Sequence, residues 1–284
     1  MQRRALIMET AVRHLYNPLE PLWPVAKRLE RLPVQRFSEM PPPERIALVT
    51  WTDRAYPNHR ARNAAYCRRW GYTCLWNATR RLPHLPKVFE KFPIVRWALE
   101  WHDAVLQIDD DASVHRTHQP IEDFLRTFPT ASLIASSFGW NVPVESGRFK
   151  MTWDVPTTVH PMRPHGVYPS TYAPQAGLFL WRRSNYTLTL LDMLLANNAH
   201  LCKRYLTRAY EQDAITAATC TSWMLHVGLL PMNAFNCLPG DLNTYGRCVD
   251  PFVLHIAGAK SKDAVNASIV KMHAYFAEVV RRAR

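Results

Sequence analysis

The sequence predicts an α/β fold with a mostly parallel central sheet flanked by helices. Apolar strand-like segments alternate with helical segments through the first half of the chain, and the order strand, helix, strand, helix, strand builds a parallel, doubly wound sheet. Three consecutive aspartates follow the last strand of this series, at the edge where such sheets place their ligands. With 284 residues the chain is long enough to bury a full core as one large domain.

The first half contains the elements that carry this prediction. Residues 1–44 are expected to form a helical, proline-broken lead-in that ends in three consecutive prolines, which stiffen a linker. Strands are then expected at 46–51, 72–76 and 105–108, with helices at 58–70 and about 84–99 between them. Gly71 closes the first of these helices, and Pro93 is expected to kink the second.

The second half alternates less regularly. Strands are expected at 131–137, 177–181 and 252–256, and helices at 119–128, about 186–196, about 207–219 and, as an amphipathic basic C-terminal helix, about 262–281. The segment 139–174 is long and has little periodicity, which is typical of functional or disordered loops. Its aromatic residues either pack against sugar rings or anchor the loop, and they are Trp140, Trp153, Tyr168 and Tyr172.

Asp109, Asp110 and Asp111 form the most informative motif of the chain. Adjacent carboxylates repel one another and are poor strand formers, so their place after a buried strand requires a compensating cation. Asp109 and Asp111 form an Asp-x-Asp pair, which can hold Mg²⁺ or Mn²⁺ through hard oxygen ligands and leaves coordination positions for a diphosphate. The alternative is a solvated acidic turn, because so short a motif also arises by chance.

The net charge and the cysteines limit the function classes. The formal net charge of +12 suits phosphate-bearing partners, but the arginines are scattered and show no zinc-finger or RNA-recognition signature, so no specific nucleic-acid partner is expected. Binding of an anionic nucleotide, or peripheral contact with an anionic membrane, explains the charge as well. The six cysteines show no Cys-x-x-Cys spacing, which disfavours a zinc ribbon or a redox motif, and their even number does not establish disulfides.

The N-terminal residues bear on the compartment. The first eight residues include two arginines but no sustained apolar region, which argues against a signal peptide. No stretch of the chain approaches the roughly 20 uninterrupted apolar residues of a membrane span. A cytoplasmic or otherwise soluble protein is therefore expected, or a protein of the Golgi lumen if an N-terminal anchor has been removed.

Six short blocks of residues occur in a fixed order between about residues 45 and 262. They are Asn58-His59 with Tyr66 and Gly71-Tyr72; His84-Leu85-Pro86-Lys87-Val88; Gln107-Ile108-Asp109-Asp110-Asp111-Ala112; Gln175-Ala176-Gly177-Leu178-Phe179-Leu180; Glu211-Gln212-Asp213-Ala214; and His255-Ile256-Ala257-Gly258-Ala259-Lys260. In this order they resemble the glycosyltransferase family, family 34, that includes fungal mannan α-mannosyltransferases, fission-yeast α-galactosyltransferases and plant xyloglucan xylosyltransferases. Gln175 stands where that family usually has Asn, and Tyr210 stands where many members have an acid.

The resemblance implies a GT-A-type, Rossmann-like fold of the nucleotide-diphospho-sugar transferases. It also implies a nucleotide-sugar donor, a divalent metal and retention of the anomeric configuration. On this basis residues 45–284 form one catalytic domain, in which 45–118 bind the nucleotide sugar and 119–284 bind the acceptor. The expected cofactors are Mn²⁺ or Mg²⁺ and a UDP- or GDP-sugar, the expected partner is a glycan acceptor, and the oligomeric state is left open.

The resemblance completes the metal site with a histidine. Asp109, Asp111 and His255 are expected to hold the ion, which would bridge the diphosphate and neutralise the charge that builds on the leaving group. His255 ends a buried strand shortly before Gly258, where the backbone can approach a phosphate closely. Without the resemblance, a hydrogen-bonded core histidine is the simpler interpretation of His255.

Further residues are expected to bind the donor. Lys87 and Lys260 would supply point charges to the phosphates, although lysines at these positions can equally be solvated. Asp110 is expected to contact the ribose or the sugar. The nucleobase is expected near the end of the first strand, at Thr50, Trp51 and Thr52.

The helix at 207–219 is expected to face the reacting sugar. Gln212, together with Glu211, is the candidate for the face of the sugar opposite the leaving group. Because neighbouring residues of a helix point about 100° apart, only one of the two is expected to face the sugar. The sequence assigns no nucleophile, so a front-face mechanism without one stays open.

These expectations combine into one function and two alternatives. The leading prediction is a metal-dependent, retaining glycosyltransferase that moves a hexose or pentose from a nucleotide-diphosphate sugar to a glycan. Clustered aspartates also suit a metal-dependent phosphohydrolase, although neither an activated nucleophile nor a second carboxylate cluster is evident. The charge and the aromatic residues suit a non-catalytic carbohydrate- or nucleic-acid-binding module, whose binding would survive chelation.

Overall fold

The computed structural model describes residues 28–37, 45–54, 56–83, 85–137, 140–143, 149–152, 174–196, 210–219, 226–230, 235–237, 251–256, 270, 271, 273, 274 and 281. The strands in these residues are β1 (Ile46–Trp51), β2 (Thr73–Asn77), β3 (Ala104–Ile108), β4 (Ala112–Val114), β5 (Leu133–Ser137), β6 (Trp140–Pro143), β7 (Phe149–Thr152), β8 (Pro174–Arg182), β9 (Val227–Leu230), β10 (Asn236–Cys237) and β11 (Val253–His255). The helices are α1 (Pro57–Trp70), α2 (Lys91–Trp101), α3 (Ile121–Thr127), α4 (Asn185–Ala196) and α5 (Tyr210–Thr219).

The central sheet has six strands in the order β2-β1-β3-β8-β5-β9. β1 pairs in parallel with β2 and with β3, and β5 pairs in parallel with β9. β8 runs antiparallel to both of its neighbours, β3 and β5. The sheet is therefore mostly parallel with one reversed strand inside it, and the predicted α/β class is confirmed.

A smaller sheet stands beyond the carboxyl end of β3. It consists of β10, β11 and β4, with β10 parallel and β4 antiparallel to β11. The register places His255 opposite Ala112, the residue that directly follows the three aspartates. The small sheet thus brings the end of β11 to the carboxylates that follow β3.

Helices cover both faces of the central sheet. Side chains alternate along each strand, so Phe179 and Trp181 of β8 pack with α2, α4 and α5, while Leu178 and Leu180 pack with α1 and α3 on the other face. Trp181 is fully buried. Burial of a side chain of this size contributes on the order of 3 kcal/mol, which explains why so long an apolar run lies in the middle of the sheet.

The elements of the first half lie close to their predicted positions. β1 covers the predicted residues, and α1 begins at Pro57, where the missing N–H of proline costs no helical hydrogen bond. α1 ends at Gly71, whose φ of 74° is the left-handed cap that favours glycine. A disulfide between Cys67 and Cys74 then joins the end of α1 to β2. The cysteine spacing did not predict this pair.

Two segments differ in part from the secondary structure that the sequence predicts. The expected helix at about 84–99 with a kink at Pro93 is instead a 3₁₀ turn at Lys87–Glu90 followed by α2. Pro93 lies in the first turn of α2, where backbone N–H groups have no partner within the helix, so it causes no kink. The segment 139–174 contains the antiparallel pair β6 and β7, although its sequence showed little periodicity.

Besides β6 and β7, three further short strands were not predicted, namely β4, β9 and β10. Each has four residues or fewer, too few to establish a periodic pattern. Among the described residues, no helix combines the length and the apolar character that a membrane crossing needs.

Candidate active site

The three aspartates occupy the tight turn between β3 and β4. The amide of Asp109 donates to the carbonyl of Gly177 in β8 over 2.9 Å, and the amide of Ile256 donates to the carbonyl of Asp111 over 2.9 Å. The turn itself closes with a 3.2 Å hydrogen bond from the amide of Ala112 to the carbonyl of Asp109. Backbone contacts with both sheets therefore hold the carboxylates in place.

The structure brings Asp109, Asp111 and His255 together. His255 Nε2 lies 3.0 Å from Asp111 Oδ1 and 4.0 Å from Asp109 Oδ2. One ligand atom from each of the three residues falls within 4.8 Å of the others. Two carboxylate oxygens and one imidazole nitrogen are a donor set that suits Mn²⁺, so the residues fit the metal that the sequence predicts.

The imidazole of His255 is seated against β8 because residue 177 has no side chain. A Cβ atom at Gly177 would lie 2.1 Å from Cε1 and 2.5 Å from Nδ1 of His255, which is impossible without displacing the ring. Nδ1 of His255 also lies 3.2 Å from the side-chain nitrogen Nε2 of Gln175 and 3.4 Å from the side-chain nitrogen Nδ2 of Asn236. These contacts fix the ring with Nε2 directed at the carboxylates.

Burial and mutual attraction set the protonation of this group. Burial disfavours the charged forms of Asp111 and His255, but their ion pair outweighs it, so the pKa of His255 is raised and that of Asp111 is lowered. Burial raises the pKa of Asp110 to about 6, against a hydrogen bond from Thr52 that favours the carboxylate. Burial also raises the pKa of Asp109, although Lys91 and His255 oppose the rise.

Lys91, which the sequence did not indicate, lies at the centre of the site. Its Nζ donates to Asp109 Oδ1 over 2.7 Å, to Glu211 Oε1 over 3.2 Å and to the carbonyl of Ala176 over 3.2 Å. The Lys91 side chain is only 7% exposed. Burial alone would lower the pKa of Lys91, but the two carboxylates raise it, so the ammonium stays charged.

Glu211 is therefore engaged in an ion pair with Lys91 and is nearly buried, with a side-chain exposure of 12%. It lies in the first turn of α5 and Gln212 follows it, but the side chain of Gln212 lies outside the described residues. Gly258 and Lys260 also lie outside the described residues.

Of the predicted nucleotide-binding residues, those that the structure describes include three at the carboxyl end of β1. Thr52 Oγ1 lies 2.8 Å from Asp110 Oδ2, which links the end of β1 to the aspartate turn. The indole nitrogen of the half-buried Trp51 donates to the carbonyl of Thr79 over 3.1 Å. Thr50 is buried, and its hydroxyl has no hydrogen-bond partner among the described residues. Lys87 is exposed and forms an ion pair with Asp53.

The sequence around Lys91 contains a weak signal of burial but none of a role in the site. Lys91 is flanked by Phe89, Phe92 and Ile94, which are all buried in the structure. A charged residue within an apolar stripe is buried only when it is paired, so it indicates a partner elsewhere in the fold. The sequence does not indicate which partner, because Asp109 and Glu211 are far away along the chain.

The family model of the galactosyl transferase GMA12/MNN10 family matches residues 52–266. This match covers most of the chain and includes all three candidate metal ligands. The chain belongs to this glycosyltransferase family. Its function is accordingly glycosyl transfer, which uses a sugar donor and an acceptor, and the carboxylate turn beyond β3 is its candidate catalytic centre.

A solved structure supports the fold of this glycosyltransferase independently. The crystal structure of a glycosyltransferase involved in the glycosylation of the major capsid of PBCV-1 is similar to the chain, with a TM-score of 0.56 and 14% sequence identity. The match covers 80% of this chain and 99% of that one. At this identity the likeness establishes the fold alone. No curated protein sequence matches the chain at a significant level.

Proposed function

We propose that the protein is a metal-dependent, retaining glycosyltransferase that moves a hexose or pentose from a UDP- or GDP-sugar to a glycan acceptor. The observation that carries the proposal is the convergence of Asp109, Asp111 and His255 within 4.8 Å at the carboxyl end of β3. This is the edge at which open α/β sheets bind nucleotides. The family membership supports the transfer reaction, and the donor set supports the metal.

Asp109, Asp111 and His255 would hold Mn²⁺ or Mg²⁺. When bound, the ion neutralises the negative charge that develops on the departing diphosphate. His255 is buried and the two aspartates are only partly exposed, and this restricted access of water strengthens the effect. Lys87 is exposed and pairs with Asp53, and it is proposed to add a point charge for the phosphates together with Lys260. Gly258 is proposed to let the backbone approach the phosphates.

The remaining donor contacts are assigned to the carboxyl ends of β1 and β3. Asp110 keeps one oxygen, Oδ2, against Thr52, which leaves its other oxygen for a hydroxyl group of the ribose or the sugar. Thr50, Trp51 and Thr52 are proposed to form the floor of the nucleobase site. Their position beside β2 agrees with this assignment.

The ion pair of Glu211 supports retention of configuration. An inverting transferase needs a carboxylate base that deprotonates the acceptor on the face opposite the leaving group. The carboxylate of Glu211 is nearly buried and accepts a hydrogen bond from the Lys91 ammonium, so it is engaged by Lys91 and is not free to approach an acceptor hydroxyl. We therefore propose Gln212 for that face of the sugar, with the acceptor proton passing to the leaving diphosphate on the near face.

Donor binding tests the metal dependence directly. Thermal unfolding of the protein is measured with UDP, GDP and their sugars, with and without Mn²⁺, because a ligand that binds only the folded state raises the melting temperature. Stabilisation by one nucleotide that needs Mn²⁺ is expected. Stabilisation that survives chelation would instead favour a binding module.

The stereochemical outcome tests the mechanism. An α-linked donor is expected to give an α-glycoside, and NMR of the first product distinguishes the two anomers by coupling constant or carbon shift. A β-glycoside would refute retention and the role of Gln212. Metal-dependent release of a phosphorylated product with no acceptor present, and with no transfer when acceptor is added, would favour the phosphohydrolase.

A further inference from the structure

Lys91 joins three parts of the fold that are distant in sequence. It is the first residue of α2, and its ammonium contacts Asp109 after β3, Glu211 in α5 and the backbone of Ala176 in β8. An ammonium has three N–H donors, so these contacts satisfy it completely. A lysine on the surface donates its N–H groups to water, whereas Lys91 is buried and depends on these three protein partners.

The two carboxylate oxygens of Asp109 have different partners. Oδ1 accepts hydrogen bonds from Lys91 over 2.7 Å and from the Gln107 amide over 3.3 Å. Oδ2 is the oxygen directed at His255, 4.0 Å from Nε2. Lys91 thus leaves Asp109 a single oxygen for the metal.

The same ammonium places α5. Glu211 lies in the first turn of this helix, and its carboxylate reaches Lys91 rather than the metal ligands. Gln212, the next residue, is the side chain proposed for the sugar face. Lys91 therefore links α5 to Asp109 through one shared cation.

We propose that Lys91 is a positioning residue of the transfer reaction, which ties the metal ligand Asp109 to the helix that carries Glu211 and Gln212. This proposal rests on the proposed function above. Lys91 fixes which carboxylate oxygen meets the metal and how far α5 stands from it. A lysine that only neutralises buried charge would be dispensable once the charge it balances is removed.

A charge-compensated pair of variants separates these two roles. Lys91→Met removes the ammonium that pairs with Asp109 and Glu211 and is expected to lower the melting temperature, because buried charges that lose their partner are costly. Lys91→Met combined with Glu211→Gln removes one charge of each sign and is expected to recover most of that loss. The double variant is nevertheless expected to bind Mn²⁺ about tenfold more weakly and to lower kcat about 100-fold, because an interaction that orients the reacting groups is missing.

Arg96→Met is the matched control. Arg96 lies on the same helix and pairs with Asp192 and Glu100 on the partly exposed side, away from the aspartate turn. Its substitution is expected to leave Mn²⁺ affinity and kcat within about twofold of the wild-type values, because exposed ion pairs contribute little.

Mn²⁺ affinity is measured by electron paramagnetic resonance of the free ion, and kcat and KM are measured separately. If the double variant binds Mn²⁺ and turns over like the wild type, Lys91 has no positioning role and the proposal is overturned. If the wild-type protein itself binds no Mn²⁺, the proposed function fails first. Because metal binding is read without turnover, the two failures are distinguishable.

Discussion

Two clusters of buried titratable groups lie along the segment from Asp109 to His115, and they meet the cost of burial in opposite ways. The first is the aspartate turn with Lys91, Glu211 and His255. The second lies at β4, where Ser113 Oγ is 3.0 Å from His273 Nε2 and the Nδ1 atoms of His273 and His115 are 2.8 Å apart. The clusters differ in charge, although few residues separate them.

The first cluster pairs carboxylates with the cations of Lys91 and His255, whereas His273 in the second cluster, and His59 beside it, are buried as neutral rings. Burial lowers the pKa of His273 to about 3 and that of the neighbouring His59 to about 4, so both rings are neutral near pH 7. At the first cluster, the carboxylates of Asp109, Asp110, Asp111 and Glu211 outnumber the cations. The neutral histidines of the second cluster therefore need no counter-ion. The first cluster has an excess of carboxylates, which a divalent cation would balance.

Removal of one carboxylate from the first cluster is expected to have the largest effect. Asp111→Asn eliminates a proposed metal ligand while keeping the size of the side chain. We expect turnover to fall roughly 1000-fold, about 4 kcal/mol of transition-state stabilisation. Asp109→Asn should lose a similar amount, and it also leaves Lys91 with only one carboxylate partner.

The control is Asp123→Asn, a substitution of an exposed carboxylate that pairs with Arg126 in α3. It should turn over at the wild-type rate. Circular dichroism checks that all three variants fold. Near-normal, chelator-insensitive turnover in Asp111→Asn would remove the metal assignment.

The pH dependence of metal binding is expected to be a smaller effect with a defined sign. A metal at His255 Nε2 competes with a proton, and Asp111 together with Asp109 outweighs burial and raises the pKa of His255 above its usual range. Mn²⁺ affinity should therefore fall as pH decreases, starting above the ordinary histidine pKa of about 6.5, by up to about tenfold per pH unit. Titrations of Mn²⁺ from pH 8.5 to 5.5 measure this slope.

His255→Gln should bind Mn²⁺ more weakly at every pH and show a shallower slope. The exposed residue His118 supplies the comparison, because His118→Gln should keep the wild-type slope. If His255→Gln lowers the melting temperature but leaves the Mn²⁺ titration unchanged, His255 is a structural histidine.

The smallest expected effect concerns His59, a neighbour of His273, and the stability of the protein in acid. The folded pKa of His59 is lowered to about 4, below the value of about 6.5 in the unfolded chain, so the unfolded state binds the proton more readily. The stabilising contribution of neutral His59 is complete above pH 6.5 and is lost as pH falls toward 4. The loss of unfolding free energy relative to neutral pH amounts to roughly 1–2 kcal/mol at pH 5.

Substitution of His59 by Phe tests this prediction, because it removes the titrating ring and keeps an aromatic side chain at a buried position. Between pH 7 and 5, this variant should lose less unfolding free energy in urea than the wild type does. An equal loss in both proteins would mean that His59 is not held neutral in the folded state.

Local patterns in the sequence predicted much of the fold and part of the site. β1, α1 and α4 lie where periodicity and glycine or proline signals placed them, because residues close in the chain decide such elements. The pairing of Asp109 with Asp111 was equally local. His255 was predicted through the ordered family blocks rather than from its own surroundings.

Two lysines one helical turn apart show where this reasoning ends. Lys87 was predicted to contact the phosphates, and in the structure it is exposed and pairs with Asp53. Lys91 received no prediction, yet it is buried between Asp109 and Glu211. The sequence does not distinguish their surroundings, because the partners of Lys91 come from other elements.

The sequence by itself thus determined the order of the longer strands and helices, the carboxylate turn and the family. Only the tertiary structure decided that β8 runs antiparallel between β3 and β5, that Gly177 makes room for His255, and that Lys91 joins two carboxylates. The physical reason is the range of the interactions. Hydrophobic periodicity and turn preferences act between near neighbours, whereas the pairing of buried charges depends on which distant segments the packed core brings into contact.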